Sequence, residues 1–163
     1  MQKYTQKWTL IKLLELVDEG SEFFWKNWPL HVTLVDTFAV DWEKTNLFEK
    51  LSALLAKQKP VEVVAGDDEY FGPQKQIQVT TLKMTPELQS LHNDIIALFK
   101  SVNAVFNEPQ YVGEGFVAHS TVQKHARLHK GDIVKIDELT IVDMFPHGDG
   151  EQRKLLRTIK FSE

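Results

Sequence analysis

Cysteine is absent from the 163 residues. That absence excludes disulfides, thiolate nucleophiles, iron–sulfur clusters and cysteine-bound zinc, so any metal would need histidine and carboxylate ligands. Positive charge is also scarce: 19 Lys and Arg stand against 23 Asp and Glu, for a net charge of −4. A long nucleic-acid track needs many phosphate-neutralising cations, and this chain lacks the excess. A short phosphorylated ligand held by local groups is compatible with it. No apolar run approaches the length of a membrane span, and Met1 to Trp8 carry Lys and Gln rather than an apolar stretch with a cleavage site. There is no low-complexity tract or basic tail. The chain is therefore expected in the cytoplasm, without a membrane partner.

What the chain does contain is ordinary core-forming material. Hydrophobic residues make up 42% and charged residues 26%, the balance of a globular protein rather than a disordered or fibrous one. Surface scaling for 18.8 kDa leaves about 8,000 Å² exposed of about 27,000 Å², enough burial for one sizeable core. Residues 1–163 are accordingly read as a single domain.

Apolar alternation places a strand within Tyr4 to Val17, although the Leu13-Leu14 pair breaks the rhythm. Asp18 to Pro29 reads as a long loop, and the β-branched run Leu30 to Phe38 as a second strand. Leu47, Leu51, Leu54 and Leu55 recur at helical spacing and predict a helix near Trp42 to Lys57. Val61 to Ala65 and Gln76 to Lys83 are expected strands, separated by a turning segment with Gly66, Asp67, Gly72 and Pro73. Thr85-Pro86-Glu87 opens a helix to about Lys100, with Thr85 as cap and Pro86 in the first position. After a loop through Pro109, Gly113 and Gly115, strands are expected at Phe116 to Val122, Ile133 to Phe145 and Lys154 to Phe161. This is an α+β pattern with mostly antiparallel sheet.

Two segments carry chemistry: His31-Val32-Thr33-Leu34 and His119-Ser120-Thr121-Val122. Both are His-x-Thr-aliphatic on an expected strand, and both have an aromatic residue three positions before the His, Trp28 and Phe116. Such a pair arises by chance about once in 200 shuffles of this composition. The motifs lie 88 residues apart, near half the chain, as two lobes related by duplication would place them. Residues i and i+2 of a strand share a face about 6.5–7 Å apart, so each motif aims an imidazole and a hydroxyl in one direction. Two such strands facing one cleft would hold a phosphate between two imidazoles and two hydroxyl donors. One neutral His could then accept a proton from an attacking oxygen while the other, protonated, donates to the leaving oxygen.

These motifs resemble the 2H phosphoesterase superfamily, which includes the 2′–5′ RNA ligase-like proteins and the 2′,3′-cyclic phosphodiesterases. The likeness extends along the chain in order: Pro29 to Leu34, Tyr70-Phe71-Gly72-Pro73 before a strand, Pro86 to His92 opening a helix, and Phe116 to Val122. It implies a two-lobed α+β fold, two mostly antiparallel sheets flanked by helices with a central cleft and pseudo-symmetric lobes. It assigns His31 and His119 as catalytic, with His119 as base and His31 as acid, and Thr33 and Thr121 as phosphate-binding. Local sequence alone does not decide which His is which. Two positions depart from the family pattern. Ser120 stands where an aliphatic residue is usual, and Lys124, then Arg127, stand where ligase-like members often carry Arg. A lysine offers charge to phosphate but not the bidentate fork.

The expected protein is a metal-independent phosphodiesterase without cofactor and a monomer. Its substrate would be a small nucleotide or short RNA end, with a 2′,3′-cyclic phosphate as the reacting group. Lys124 and Phe71 are its candidate substrate-binding residues, Phe71 by stacking a base at the rim. The rival readings are 2′–5′ RNA ligation by reversal of the same chemistry, a non-catalytic nucleotide- or RNA-end-binding protein, and a structural domain with an accidental repeat. His125 and His129 at i and i+4 could join His119 around a metal, but the polar, Lys-rich Gln123 to Gly131 reads as a solvated loop. His92 is expected at a surface or boundary, and His147 in a turn.

Overall fold

The computed structural model describes residues 6–41 and 46–163. Strand β1 (Trp8–Leu13) is buried on both faces: Trp8 and Leu10 enter the main core, while Ile11 joins Val142 and Leu155 in a smaller cluster. It ends where the Leu13-Leu14 pair breaks alternation. The expected loop from Asp18 contains a short strand, β2 (Glu22–Phe24). Strand β3 (His31–Ala39) pairs with β1 and follows the predicted β-branched run. Residues 42–45, where periodicity places the start of the first helix, lie outside the described residues; helix α1 (Leu47–Leu55) buries Leu47, Leu51 and Leu55.

Strand β4 (Val61–Phe71) runs straight through Gly66 and Asp67, which the sequence reading placed in a turn. The pairing with β5 (Ile77–Leu82) slips between Ala65 and Asp68. Gly66 thus serves a bulge, where an added Cβ would lie 3.2 Å from Thr81 Oγ1. The turn itself falls at Gly72, with φ of +97°. Helix α2 (Pro86–Ser101) begins as expected: Leu88 N–H donates to Thr85 Oγ1 at 3.1 Å, and Pro86 occupies the first turn. Its Phe99 stacks on Phe38 of β3 with centroids 4.3 Å apart.

The remaining strands are β6 (Val105–Phe106), β7 (His119–Thr121), β8 (Ile133–Ile136), β9 (Glu138–Asp143) and β10 (Gln152–Lys160). The strand expected over Ile133 to Phe145 is therefore two, broken at Asp137. Its carboxylate accepts from Lys12 Nζ at 2.9 Å and its carbonyl accepts from Phe161 N–H at 2.9 Å. These bonds hold the point where the chain leaves one sheet for the other.

Among the described residues ten strands make two wholly antiparallel sheets, ordered β2-β10-β9-β1-β3-β6 and β7-β5-β4-β8. The α+β fold with two antiparallel sheets and flanking helices is as the sequence implies. Each sheet contributes one His-x-Thr strand, β3 from the larger and β7 from the edge of the smaller, and these two strands touch. Among the described residues no helix is long and apolar enough to cross a membrane.

Candidate active site

The two motif histidines are held by the same local device. His31 Nδ1 lies 2.8 Å from the carbonyl of Pro29, and His119 Nδ1 lies 2.8 Å from the carbonyl of Val117. A carbonyl can only accept, so in each ring Nδ1 carries the proton and Nε2 has the lone pair. An aromatic ring orients each imidazole in turn. Trp28 lies against His31 at 4.7 Å between centroids, and the edge of Phe71 meets His119 at 4.7 Å. Trp28 is itself anchored in the smaller core cluster, edge-on to Phe23.

Thr33, Thr121, His119 and Phe71 line one cleft of about 620 Å³. His31 is buried and close enough to His119 for a positive charge on one ring to oppose a charge on the other. Burial dominates its titration and pushes His31 down to about 4, against the smaller upward pull of the Pro29 carbonyl. This imidazole is therefore neutral at physiological pH.

Of the residues singled out from sequence, Phe71 reaches the cleft wall. Lys124 does not; it is exposed and absent from the cleft lining. Arg127 is committed elsewhere, donating to Asp68 Oδ1 at 2.6 Å, Thr80 Oγ1 at 3.2 Å and the Leu128 carbonyl at 2.9 Å. Ser120 points to the opposite face, buried, with no hydrogen-bond partner for its hydroxyl among the described residues.

His125 is exposed, its Nε2 2.7 Å from Glu15 Oε2, and that carboxylate also accepts from the Leu30 N–H beside His31. His129 is exposed near Asp132, and among the described residues no group of three His, Asp or Glu gathers as metal ligands. His147 sits in the expected turn with φ of +57°.

His92 is a correction. Expected at a boundary, it is 1% exposed, with Nδ1 2.7 Å from the Leu34 carbonyl, Nε2 accepting from Gly113 N–H at 3.0 Å, and its ring stacked on Phe116.

The cleft also contains residues that sequence reading missed: Asp36, Glu108, Gln110 and Tyr111. Asp36 should face away from Thr33 by simple alternation. Between Thr33 and Val35 the strand advances two residues against one on β1, so the pattern flips and Asp36 follows Thr33 to the cleft. Glu108, Gln110 and Tyr111 come from a loop whose short helical turn, Pro109–Tyr111, has no periodic signature.

A family model of the 2′-5′ RNA ligase superfamily matches residues 15–134, a span that includes both motifs. No curated protein matches the sequence. Among solved structures, Escherichia coli LigT complexed with NADP+ aligns with a TM-score of 0.57 at 16% identity, over 99% of this chain and 100% of that one. LigT complexed with 3′-AMP gives 0.56 at 14% over the same shares. TT0787 of Thermus thermophilus gives 0.51 at 13%, over 81% of this chain and 78% of that one. At such identities the likeness is one of fold.

Proposed function

The chain belongs to the 2′-5′ RNA ligase superfamily, and from that premise we propose that it is a metal-independent phosphodiesterase that opens 2′,3′-cyclic phosphates on small nucleotides or short RNA ends. One observation carries the reading: His119, Thr33 and Thr121 line one cleft, and His31, buried and itself outside that lining, lies beside Thr33's strand neighbours and near enough to His119 to feel its charge, each imidazole with its Nδ1 on a backbone carbonyl. That is the equipment for in-line displacement at phosphorus. A water oxygen forms the new P–O bond and loses its proton to one Nε2. The ring P–O bond breaks, and the departing ribose oxygen takes a proton from the other Nε2. Thr33 and Thr121 donate to the non-bridging oxygens, where negative charge accumulates.

Burial favours His31 as the base, the reverse of the family-based assignment, because desolvation keeps it neutral before substrate binds. An anionic phosphate then supplies the counter-charge that the buried ring lacks, raising its basicity when substrate arrives. His119 is the acid. Asp36 and Glu108 line the same cleft, and no Lys or Arg does so among the described residues. That charge pattern suits one phosphodiester on a short ligand better than a long polyanion. The 3′-AMP and NADP+ complexes of E. coli LigT support a small-nucleotide substrate class. Phe71 is the proposed base-stacking residue.

The test is a panel of 2′,3′-cyclic mononucleotides, cyclic-phosphate-ended RNA and 2′–5′ dinucleotides incubated with the purified protein, with products identified. Ring opening to a single nucleoside monophosphate isomer, unaffected by a strong chelator, is expected. Tight binding of the same ligands without turnover would assign the cleft to binding instead.

A further inference from the structure

Helix α2 lies outside the cleft lining, yet one of its side chains joins the first motif strand to the turn that leads into the second. His92 donates Nδ1–H to the carbonyl of Leu34, the last residue of the first His-x-Thr-aliphatic segment, at 2.7 Å. Its Nε2 accepts from the Gly113 N–H at 3.0 Å, in the turn that leads into the second motif. Its ring lies flat on Phe116, with centroids 3.9 Å apart and planes 4° from parallel. Only the neutral ring with its proton on Nδ1 satisfies both bonds.

Gln89, one turn earlier on the same helix face, donates to the Gly113 carbonyl at 2.9 Å, so both backbone groups of Gly113 are held from α2. The turn has little slack of its own: an added Cβ on Gly115 would fall 1.8 Å from the Gln110 carbonyl oxygen.

From this arrangement we infer that His92 is a positioning residue that sets the placement of the His119 strand relative to the His31 strand. A histidine serving only as core filler would need volume and an apolar contact. This one is fixed at one nitrogen by the His31 strand and at the other by the turn that leads into the His119 strand. The inference rests on the reading of His31 and His119 as an acid–base pair, because in-line transfer requires both Nε2 atoms to reach the same phosphate. A displacement of about 1 Å costs up to about a hundredfold in such reactions.

Three variants test it. His92→Phe keeps the ring stack and removes both hydrogen bonds. His92→Gln keeps an acceptor within reach of Gly113. Leu91→Ala opens the core at the next position of α2 without touching either bond. With 2′,3′-cyclic AMP as substrate, His92→Phe should lose at least about tenfold in kcat with KM changed by less than about threefold, and His92→Gln should recover part of that loss. Leu91→Ala should keep kcat within about twofold, even where its denaturation midpoint falls as far.

A second readout is independent of turnover: the ring ¹H–¹⁵N signals of His119, followed while inorganic phosphate is added. The parent should show one Nδ1–H tautomer and a phosphate-dependent shift, and His92→Phe should show mixed tautomers and a weaker shift. Parent-like His119 signals in His92→Phe, or equal kcat losses in His92→Phe and Leu91→Ala, would overturn the inference. A parent that hydrolyses nothing, yet whose His119 signals respond to His92→Phe, would overturn the hydrolytic reading and leave the positioning role standing.

Discussion

His31 loses most of its hydration on folding, and its pKa near 4 lies below the ordinary imidazole value of 6.5. Between those values the unfolded chain binds more protons than the folded one, so stability rises with pH through that window. The contribution is fully present above about pH 6.5 and is lost as pH falls toward about 4, to the extent of about 3 kcal/mol. His92, also held neutral chiefly by burial, acts in the same direction. Urea midpoints measured at about pH 7.5 and about pH 5 should therefore differ strongly in the parent and less in His31→Asn; equal differences would place the acid sensitivity elsewhere. Thr33→Val and Thr121→Val should each slow turnover by a few kcal/mol at most, read as kcat with substrate in excess, since each removes one donor from the developing charge. At this scale the motif was legible because His and Thr at i and i+2 repeat in matched context. His92 was not legible. Its partners are the carbonyl of Leu34 and the amide of Gly113, backbone groups that no residue pattern advertises.

Elements were readable where one face meets the core and one meets water. β4 alternates cleanly from Val61 to Ala65, and α2 shows both its cap and its stripe. Thr85→Ala should cost about 1 kcal/mol in denaturant stability and leave kcat unchanged, since Thr85 caps the helix and is not part of the cleft lining. Gly115→Ala should be worse on both counts, lowering the thermal midpoint and kcat together, because its Cβ meets backbone rather than a side chain that can rotate away. Elements were misread where the chain changes partner without changing composition. Ile133, Val134 and Ile136 before Asp137 and Leu139, Ile141 and Val142 after it are equally strand-like, so the apolar pattern does not show that Asp137 divides a strand of the smaller sheet from one of the larger. The bulges at Gly66 and after Thr33 each shift alternation by one residue, and the second is why Asp36 was missed as a cleft residue.

Across the whole molecule, the larger sheet takes strands from both ends and the middle of the chain, and the smaller takes β4, β5, β7 and β8 from between them. Neither sheet is a continuous stretch that could be cut away, and one buried cluster draws on both sheets and both helices. The proposed single domain over residues 1–163 should accordingly unfold in one transition, with fluorescence and circular dichroism midpoints coinciding. The same crossing pattern brings β3 against β7 and so joins two motifs 88 residues apart in sequence. What that junction does is tested most directly by the pH dependence of 2′,3′-cyclic AMP hydrolysis in the parent, His31→Ala, His119→Ala and the double variant. The parent should give a bell-shaped profile whose two apparent pKa values belong to the coupled pair. Each single variant should lose about 10²- to 10⁴-fold in kcat and one limb of the bell, with the double variant little worse than either. Parent-like turnover in the double variant would contradict two-histidine catalysis at this cleft.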